Sequence, residues 1–86
     1  MKEFTYTITD PIGIHARPAG LLAKQAKELG STVTITKSDG RTAIATKLIA
    51  LMTLAIKQGE TVKISVEGET EEEDAAIMEQ FFNSNL

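Results

Sequence analysis

The 86-residue sequence has no cysteine and no tryptophan, and it contains a single histidine. Without cysteine the chain can form neither disulfides nor thiolate metal sites, and the lack of disulfides in so small a chain favours a reducing cytoplasm. One histidine with scattered carboxylates has no ligand spacing typical of a metal centre. We therefore expect a cytoplasmic protein that binds no metal and no other cofactor.

Long apolar runs and an excess of positive charge are also missing. The longest apolar-rich segment, residues 48–56, is about half of the ~20 residues that a membrane-spanning helix needs. The first three residues lead into an alternating stretch instead of the apolar run of a signal peptide. The net charge is −3, whereas general nucleic-acid binders usually carry a basic stripe. We therefore predict no nucleic-acid partner and no direct membrane insertion.

The remaining composition is that of an ordinary folded chain, and the length supports one domain over residues 1–86. Apolar residues make up 42% and charged residues 24% of the sequence, which argues against disorder. The alternation typical of half-buried strands covers residues 4–9, 31–37, 41–45 and 61–68. Helical spacing covers residues 16–29, 46–56 and 70–82. The order β-α-β-β-α-β-α predicts an α+β fold in which helices cover one face of a small sheet.

Short local signals predict where these elements begin and end. Residues 38–40, Ser-Asp-Gly, predict a hairpin between the second and third strands. Gly30 predicts the end of the first helix, because glycine readily adopts the left-handed conformation found there. Thr70 and Glu73 have the spacing of a capping box. The acidic run Glu71–Asp74 is interpreted as a helix start that complements the dipole, not as a cation site.

The lone histidine lies in the segment GIHARPAG, residues 13–20, between a glycine turn and the predicted start of a helix. The first N–H groups of a helix have no internal partner and, together with the helix dipole, they attract anions. Here these groups belong to Ala16 and Arg17, and Pro18 suits the first turn because it lacks an N–H. Arg17 adds a planar positive group suited to phosphate oxygens. His15 could therefore be a nucleophile whose anionic product is stabilised in place, as in a phosphoryl carrier.

Plainer interpretations of the same segment remain open at this point. An exposed histidine near a helix start is most often only a polar surface residue. No second acid, base or nucleophile lies near His15 in the sequence, which makes a carrier a better interpretation than a self-contained hydrolase. Asp10 could orient the imidazole, or it could simply form the turn.

Two further groups of residues have both a functional and a structural interpretation. The run LIALM at residues 48–52 could belong to the core, or it could leave Leu48, Ile49 or Met52 exposed as an apolar patch for partners. Lys24 and Lys27 on the first helix could attract acidic partners. They could equally serve only to keep the protein soluble.

The segment GIHARPA resembles the active-site segment of HPr, the histidine-containing phosphocarrier family of the bacterial sugar phosphotransferase system. The likeness extends over essentially the whole chain. It includes LMTLAIKQGETVKISVEG, which is similar to the family's segment from the second helix to the last strand. The resemblance implies an open-faced β-sandwich, with a four-stranded antiparallel sheet covered on one face by three helices.

The resemblance also implies roles for individual residues. His15 would be phosphorylated on Nδ1 by phosphorylated enzyme I, with phosphoenolpyruvate as the ultimate donor, and would pass the group to enzyme IIA domains of sugar transporters. Arg17 matches the arginine that stabilises phosphohistidine. The positions that the family uses for docking match Gly20, Lys24, Lys27, Leu48, Ile49 and Met52. Such a protein is a co-substrate and not a free-standing catalyst, and we expect it to be a monomer.

The sequence departs from the family pattern at three positions, and a fourth position is relevant to the first of them. Lys47 occupies the position of the regulatory serine found in members from low-GC Gram-positive bacteria, so no regulatory phosphorylation is expected there. Thr46 could offer a hydroxyl instead, but it is more simply the N-cap of the second helix. Ile12 replaces a residue that is often polar, which removes any side-chain hydrogen bond to the ring. Gly20 replaces the usual alanine and loosens the first helix slightly.

Ile12 and the missing serine leave an alternative function open. The chain could be an HPr-like regulatory paralogue that binds a transcription regulator or a metabolic enzyme instead of feeding sugar uptake. The presence of His15 argues against the extreme form of this alternative, in which the histidine itself is replaced.

Overall fold

Four strands form one antiparallel sheet in the computed structural model, which describes residues 1–86. The strands are β1 (Lys2–Thr7), β2 (Thr32–Thr36), β3 (Thr42–Ile44) and β4 (Thr61–Glu67). Their order in the sheet is β1-β4-β2-β3, so β1 and β3 are the edges. The helices that cover its apolar face are α1 (Ala16–Lys27), α2 (Leu48–Thr53) and α3 (Glu71–Asn85). The predicted α+β open-faced sandwich is confirmed.

The alternation in the strands produces the core of the fold. Val62, Ile64 and Val66 of β4 are buried, and the strand register places Ile64 opposite both Phe4 and Ile35. Residues that face each other across neighbouring strands lie on the same side of a sheet. These side chains therefore form one continuous apolar face, and its burial under the helices is the main favourable contribution to folding.

Helix α3 docks onto this face through Phe82. The buried Phe82 ring makes edge-to-face contacts with Phe4, Tyr6 and Phe81, with ring centroids 6.1, 5.6 and 6.1 Å apart. These contacts hold the C-terminal half of α3 over β1, and they bring the last residues of the chain close to the end of that strand.

None of the three helices has the length and apolar character needed to cross a membrane.

Strand β1 lies two residues earlier than predicted, at Lys2–Thr7 instead of residues 4–9. Its pairing with β4 begins at Lys2 opposite Val66 and ends at Thr7 opposite Thr61. Beyond this point the Thr9 N–H donates to the Leu86 carbonyl oxygen at 2.7 Å. Ile8 still donates to the Glu60 oxygen at 2.9 Å, whereas Thr9 and Asp10 donate to Leu86 at the far end of the chain, a contact that no local pattern could indicate.

Helix α2 has only six residues, so it is much shorter than the predicted residues 46–56. Its N-cap is Lys47, which makes no side-chain cap hydrogen bond, so the prediction that Thr46 caps this helix is wrong. Ala55 has a φ of +52°, the left-handed conformation that commonly ends a helix. Non-glycine residues rarely adopt it, so periodicity alone did not predict this early end.

Two turn signals were predicted, one after β2 and one after α1, and only the first is confirmed. The hairpin at residues 38–40 is confirmed, and Gly40 has a φ of +94°. Gly30 does not have a positive φ, so its predicted role in ending α1 is wrong. The helix ends at Lys27, where the next two N–H groups donate to carbonyls three residues earlier, at 3.1 and 3.2 Å. This tighter turn ends the helix without a left-handed residue.

The predicted capping box at the start of α3 is also wrong, because Thr70 and Glu73 make no capping hydrogen bond. The Thr70 hydroxyl instead donates to the Asp74 carboxylate at 2.7 Å. The residue that reaches back to the preceding turn is Glu71, which accepts the Gly68 N–H at 3.2 Å.

Asp74 is the only acidic or basic residue in the buried set. Its carboxylate accepts hydrogen bonds from the Ser31 hydroxyl at 2.6 Å and the Thr70 hydroxyl at 2.7 Å. These bonds, the one from Ser31 first, hold the pKa of Asp74 below its usual value of 3.8. Asp74 thereby ties the first turn of α3 to the start of β2.

We expect Asp74→Asn to lower the free energy of unfolding at neutral pH by about 1.5–3 kcal/mol, the range for hydrogen bonds to a charged group. Because the folded pKa lies below the unfolded value, this contribution is complete above pH 3.8 and is lost as the pH falls through the folded pKa. Urea denaturation of both proteins at a series of pH values measures it. A difference that stays constant on acidification would contradict a role for the charge.

Candidate functional site

His15 is the N-cap of helix α1 and is half-buried. Its backbone is extended, with φ −116° and ψ −172°, and its carbonyl oxygen accepts the Ala19 N–H at 2.9 Å. The imidazole makes no cap hydrogen bond to the helix. His15 therefore holds the helix start through its backbone alone and leaves its ring nitrogens available for chemistry.

The first turn of α1 provides unused hydrogen-bond donors beside this ring. The main-chain N–H groups of Ala16 and Arg17 have no main-chain acceptor, and Pro18 has no N–H to satisfy. Arg17 is exposed and takes part in none of the ion pairs of the structure. Positive charge and free N–H groups at a helix N-terminus favour a bound anion. The structure thus places His15, Ala16 and Arg17 together at the start of α1.

A tight turn before the histidine sets its position. The Asp10 carbonyl oxygen accepts the Gly13 N–H at 3.0 Å, and the Asp10 carboxylate accepts the Ile12 N–H at 2.9 Å. Asp10 thus acts as a turn residue, one of the two roles left open by the sequence. Gly13 has a φ of +83°, and a Cβ built on it would lie 2.3 Å from the Ile56 carbonyl oxygen. No residue with a side chain fits there.

The end of α3 completes the site, which sequence reasoning missed. Ser84 and Asn85 line the same shallow cavity as His15 and Arg17. The Leu86 oxygen accepts the Thr9 N–H at 2.7 Å, the Thr9 hydroxyl at 2.9 Å and the Asp10 N–H at 2.9 Å. These residues are separated from the histidine by most of the chain, and none of them has a composition that singles it out.

The apolar run in α2 is divided between core and surface. Leu51 is buried, whereas Leu48, Ile49 and Met52 are exposed, with 80% of Ile49 accessible to solvent. The sequence left both possibilities open, and the exposed one applies to these three residues, which we call the α2 patch. The surface beside His15 has an apolar part as well, because Leu21 and Ile12 both line the cavity and are exposed.

The remaining predicted docking and regulatory positions lie on the surface of α1 and at the start of α2. Lys24 and Lys27 are exposed in the last turn of α1, where positive charge complements the helix dipole. Gly20 is half-buried, and a Cβ at this position would meet no atom within 4 Å, so its glycine is not required by packing. Lys47 is exposed and Thr46 is half-buried.

Comparisons with known proteins agree with this geometry. Residues 2–84 match the family model described as PTS HPr component phosphorylation site. The chain is 35% identical over 85 residues to the phosphocarrier protein HPr of Mycoplasma genitalium, covering 99% of this chain and 97% of that protein. It is 39% identical over 84 residues to the phosphocarrier protein HPr of Vibrio cholerae, covering 93% and 98% respectively. The crystal structure of HPr-C-His from Thermoanaerobacter tengcongensis superposes with a TM-score of 0.89 at 34% identity, over 98% of this chain and 93% of that one.

Gly13→Ala should destabilise the protein by about 2 kcal/mol or more, because it adds a side chain at positive φ and also a clash with the main chain of Ile56. Gly40→Ala is the matched control, since Gly40 has a positive φ but no atom within 4 Å of a built Cβ. Thermal denaturation compares the two variants. An equal loss of stability in both would show that the approach to Ile56 is not a constraint.

Proposed function

Because the chain belongs to the HPr family of phosphocarrier proteins of the phosphotransferase system, we propose that His15 accepts a phosphoryl group from phosphorylated enzyme I. It then passes the group to enzyme IIA domains of sugar transporters. The observation that carries this proposal is the placement of His15 at the start of α1, beside free main-chain N–H groups and an unpaired Arg17.

The transfer uses the lone pair of Nδ1 of His15. As the Nδ1–phosphorus bond forms, the bond between phosphorus and the donor nitrogen breaks, and its electron pair returns to the donor imidazole. The N–H groups of Ala16 and Arg17 and the Arg17 guanidinium lie where the new negative charge arrives, and donors placed in advance need little rearrangement. The same steps in reverse deliver the phosphoryl group to the next acceptor.

This arrangement suits a carrier better than a hydrolase. The imidazole has no cap hydrogen bond, and the nearby Asp10 carboxylate is engaged by the Ile12 N–H. General base catalysis on water requires a base within hydrogen-bond reach of the water and an arrangement that orients it. With Asp10 engaged in the turn, attack by water on phosphohistidine is not assisted, and each partner supplies the remaining chemistry. The protein therefore acts as a co-substrate in the cytoplasm.

Partners dock, in this proposal, on the exposed surface of helices α1 and α2, which pack against each other. Its apolar part is the α2 patch, and its basic part includes Lys24 and Lys27, both exposed on α1. Exposed apolar residues provide contact area, whereas the lysines accelerate encounter with acidic surfaces. Gly20 lies on the same helix between the histidine and these lysines. A carrier that must leave each partner quickly is well served by such a small surface.

A second candidate function is regulation through a transcription regulator or a metabolic enzyme. It is favoured by Lys47, which stands at the family's regulatory serine position as the N-cap of α2, and by Ile12, which is 68% exposed beside the histidine. Affinity capture with the purified chain distinguishes the two functions. Capture of a regulator or metabolic enzyme without any transporter component would favour regulation.

Incubation with phosphoenolpyruvate and a matched enzyme I should add the mass of one phosphoryl group to the protein. The modification should be labile in acid, as a phosphorus–nitrogen bond on histidine is, and His15→Ala should abolish it. Intact-protein mass spectrometry measures the change, and transfer to a panel of IIA domains then tests delivery. No mass increase with an active enzyme I, or an unchanged increase in His15→Ala, would overturn the phosphocarrier function.

Arg17→Glu should slow phosphoryl transfer by about 10- to 100-fold, because it removes charge-assisted hydrogen bonds to the phosphoryl group. Its stability should change by less than about 0.5 kcal/mol, since the wild-type side chain is exposed and unpaired. Arg41→Glu makes the same change in net charge in the exposed hairpin and serves as the control. Rapid-quench transfer assays and urea denaturation measure the two effects. Equal transfer rates for the two variants would remove Arg17 from the site.

A further inference from the structure

Lys37 lies just after β2 and points its side chain toward the end of helix α2. Its ammonium group donates hydrogen bonds to the Leu54 oxygen at 2.7 Å and the Ala55 oxygen at 3.3 Å. The side chain is only 14% exposed, which is low for a lysine. The backbone of Lys37 is itself held in the hairpin, since its N–H donates to the Arg41 oxygen at 2.8 Å. The ammonium is therefore supported by a rigid element.

The carbonyls that Lys37 binds belong to the strained end of α2. Ala55 has a φ of +52° and follows the C-cap Leu54, at the position where glycine is usual. This conformation is strained for a residue with a Cβ, and it persists only where surrounding contacts hold it. A lysine ammonium on the last carbonyls of a helix supplies such a contact and complements the helix dipole.

Glu60 holds the other end of the same segment, residues 54–60. One carboxylate oxygen accepts the Lys57 N–H at 2.6 Å, and the other lies 3.8 Å from the Lys37 ammonium. Lys37 and Glu60 therefore bracket the segment, the lysine at its beginning and the glutamate at its end. We call these two side chains the Lys37–Glu60 clamp.

The clamped segment packs against the turn before the histidine, residues 10–15, which we call the histidine loop. The Ile14 N–H donates to the Ile56 oxygen at 3.0 Å, and the Gly59 N–H donates to the Ile8 oxygen at 2.9 Å. A Cβ on Gly13 would lie 2.7 Å from the Lys57 Cα, so there is no free space between the two loops. A shift of the main chain at residues 55–57 would move the residue directly before His15.

We infer that Lys37 is a positioning residue for His15, acting through residues 54–60. Its ammonium group holds Ala55 in the left-handed conformation. This conformation places the Ile56 carbonyl oxygen where it accepts the Ile14 N–H. The effect on phosphoryl transfer rests on the function proposed above, whereas the effect on the histidine loop does not.

Hydrogen exchange of the Ile14 amide tests the structural step. Lys37→Met keeps an unbranched apolar side chain of similar length but removes the ammonium, and it should accelerate Ile14 exchange by about tenfold or more through local opening. Amides of the central strands, such as Ile64, should change much less. Lys63→Met is the matched control, because Lys63 also lies 3.8 Å from a carboxylate, that of Glu3, on the open face of the sheet.

The outcomes of the exchange experiment are distinct. Faster exchange confined to the histidine loop and residues 54–60 supports the inference. Ile14 exchange that is unchanged, or that rises only in step with Ile64, would overturn it, because Lys37 would then contribute nothing or only global stability. Ala55→Gly added to Lys37→Met should restore most of the Ile14 protection, since glycine closes the turn without strain. Failure of this rescue would also count against the inference.

Transfer kinetics test the functional step. With enzyme I as donor, Lys37→Met should lower kcat by about tenfold with little change in KM, because a misplaced nucleophile slows chemistry while the docking surface is intact. Ala55→Gly should again restore the rate. An unchanged kcat, or a loss found only in KM, would overturn the positioning role. If the wild-type chain accepts no phosphoryl group at all, the phosphocarrier function fails, and Ile14 exchange still decides whether Lys37 positions the loop.

Discussion

The hydrogen bond from the Ile14 N–H to the Ile56 oxygen fixes where helix α1 begins, and it is possible only because residue 13 has no side chain. Everything that the site does follows from that placement. Because Gly13 turns sharply against residues 56 and 57, His15 enters the helix in extended conformation as its N-cap. The first free N–H groups then follow directly after the imidazole. A shift of one residue in this turn would place another side chain at the N-cap of α1.

For the proposed carrier function a single imidazole is sufficient, because the groups that stabilise the charged product in that proposal are already in place. The main-chain donors of Ala16 and Arg17 cost no side-chain entropy when they bind an anion, and Pro18 fixes the backbone of the same turn. The end of α3 restrains the other side of the loop through the Leu86 oxygen. The site is thus a shallow cavity with one imidazole, an arrangement that suits the proposed transfer of a phosphoryl group between two partners.

The sequence predicted the features that depend on local pattern and missed those that depend on distant contacts. Alternation predicted all four strands, and the segment around His15 predicted a helix start with free main-chain N–H groups at Ala16 and Arg17. The length of α2 could not be predicted, because its end depends on a left-handed Ala55 that is held by Lys37, some eighteen residues away. The Leu86 contact is more distant still. Predictions of helix ends failed most often, because none of the three helices begins with a side-chain cap hydrogen bond of the kind that the local signals indicate.

Lys47 shows how a single departure can change the surface without changing the fold. As N-cap of α2 it makes no capping hydrogen bond, and its positive charge lies at the end of the helix where the dipole disfavours cations. Structure alone therefore gives no reason for a lysine there. Its position directly before the α2 patch places a permanent positive charge at the edge of the exposed apolar residues. A hydroxyl at this position could be switched to a negative charge by phosphorylation, whereas an amine cannot, so the phosphorylation switch that the family resemblance places at this position is missing from this chain.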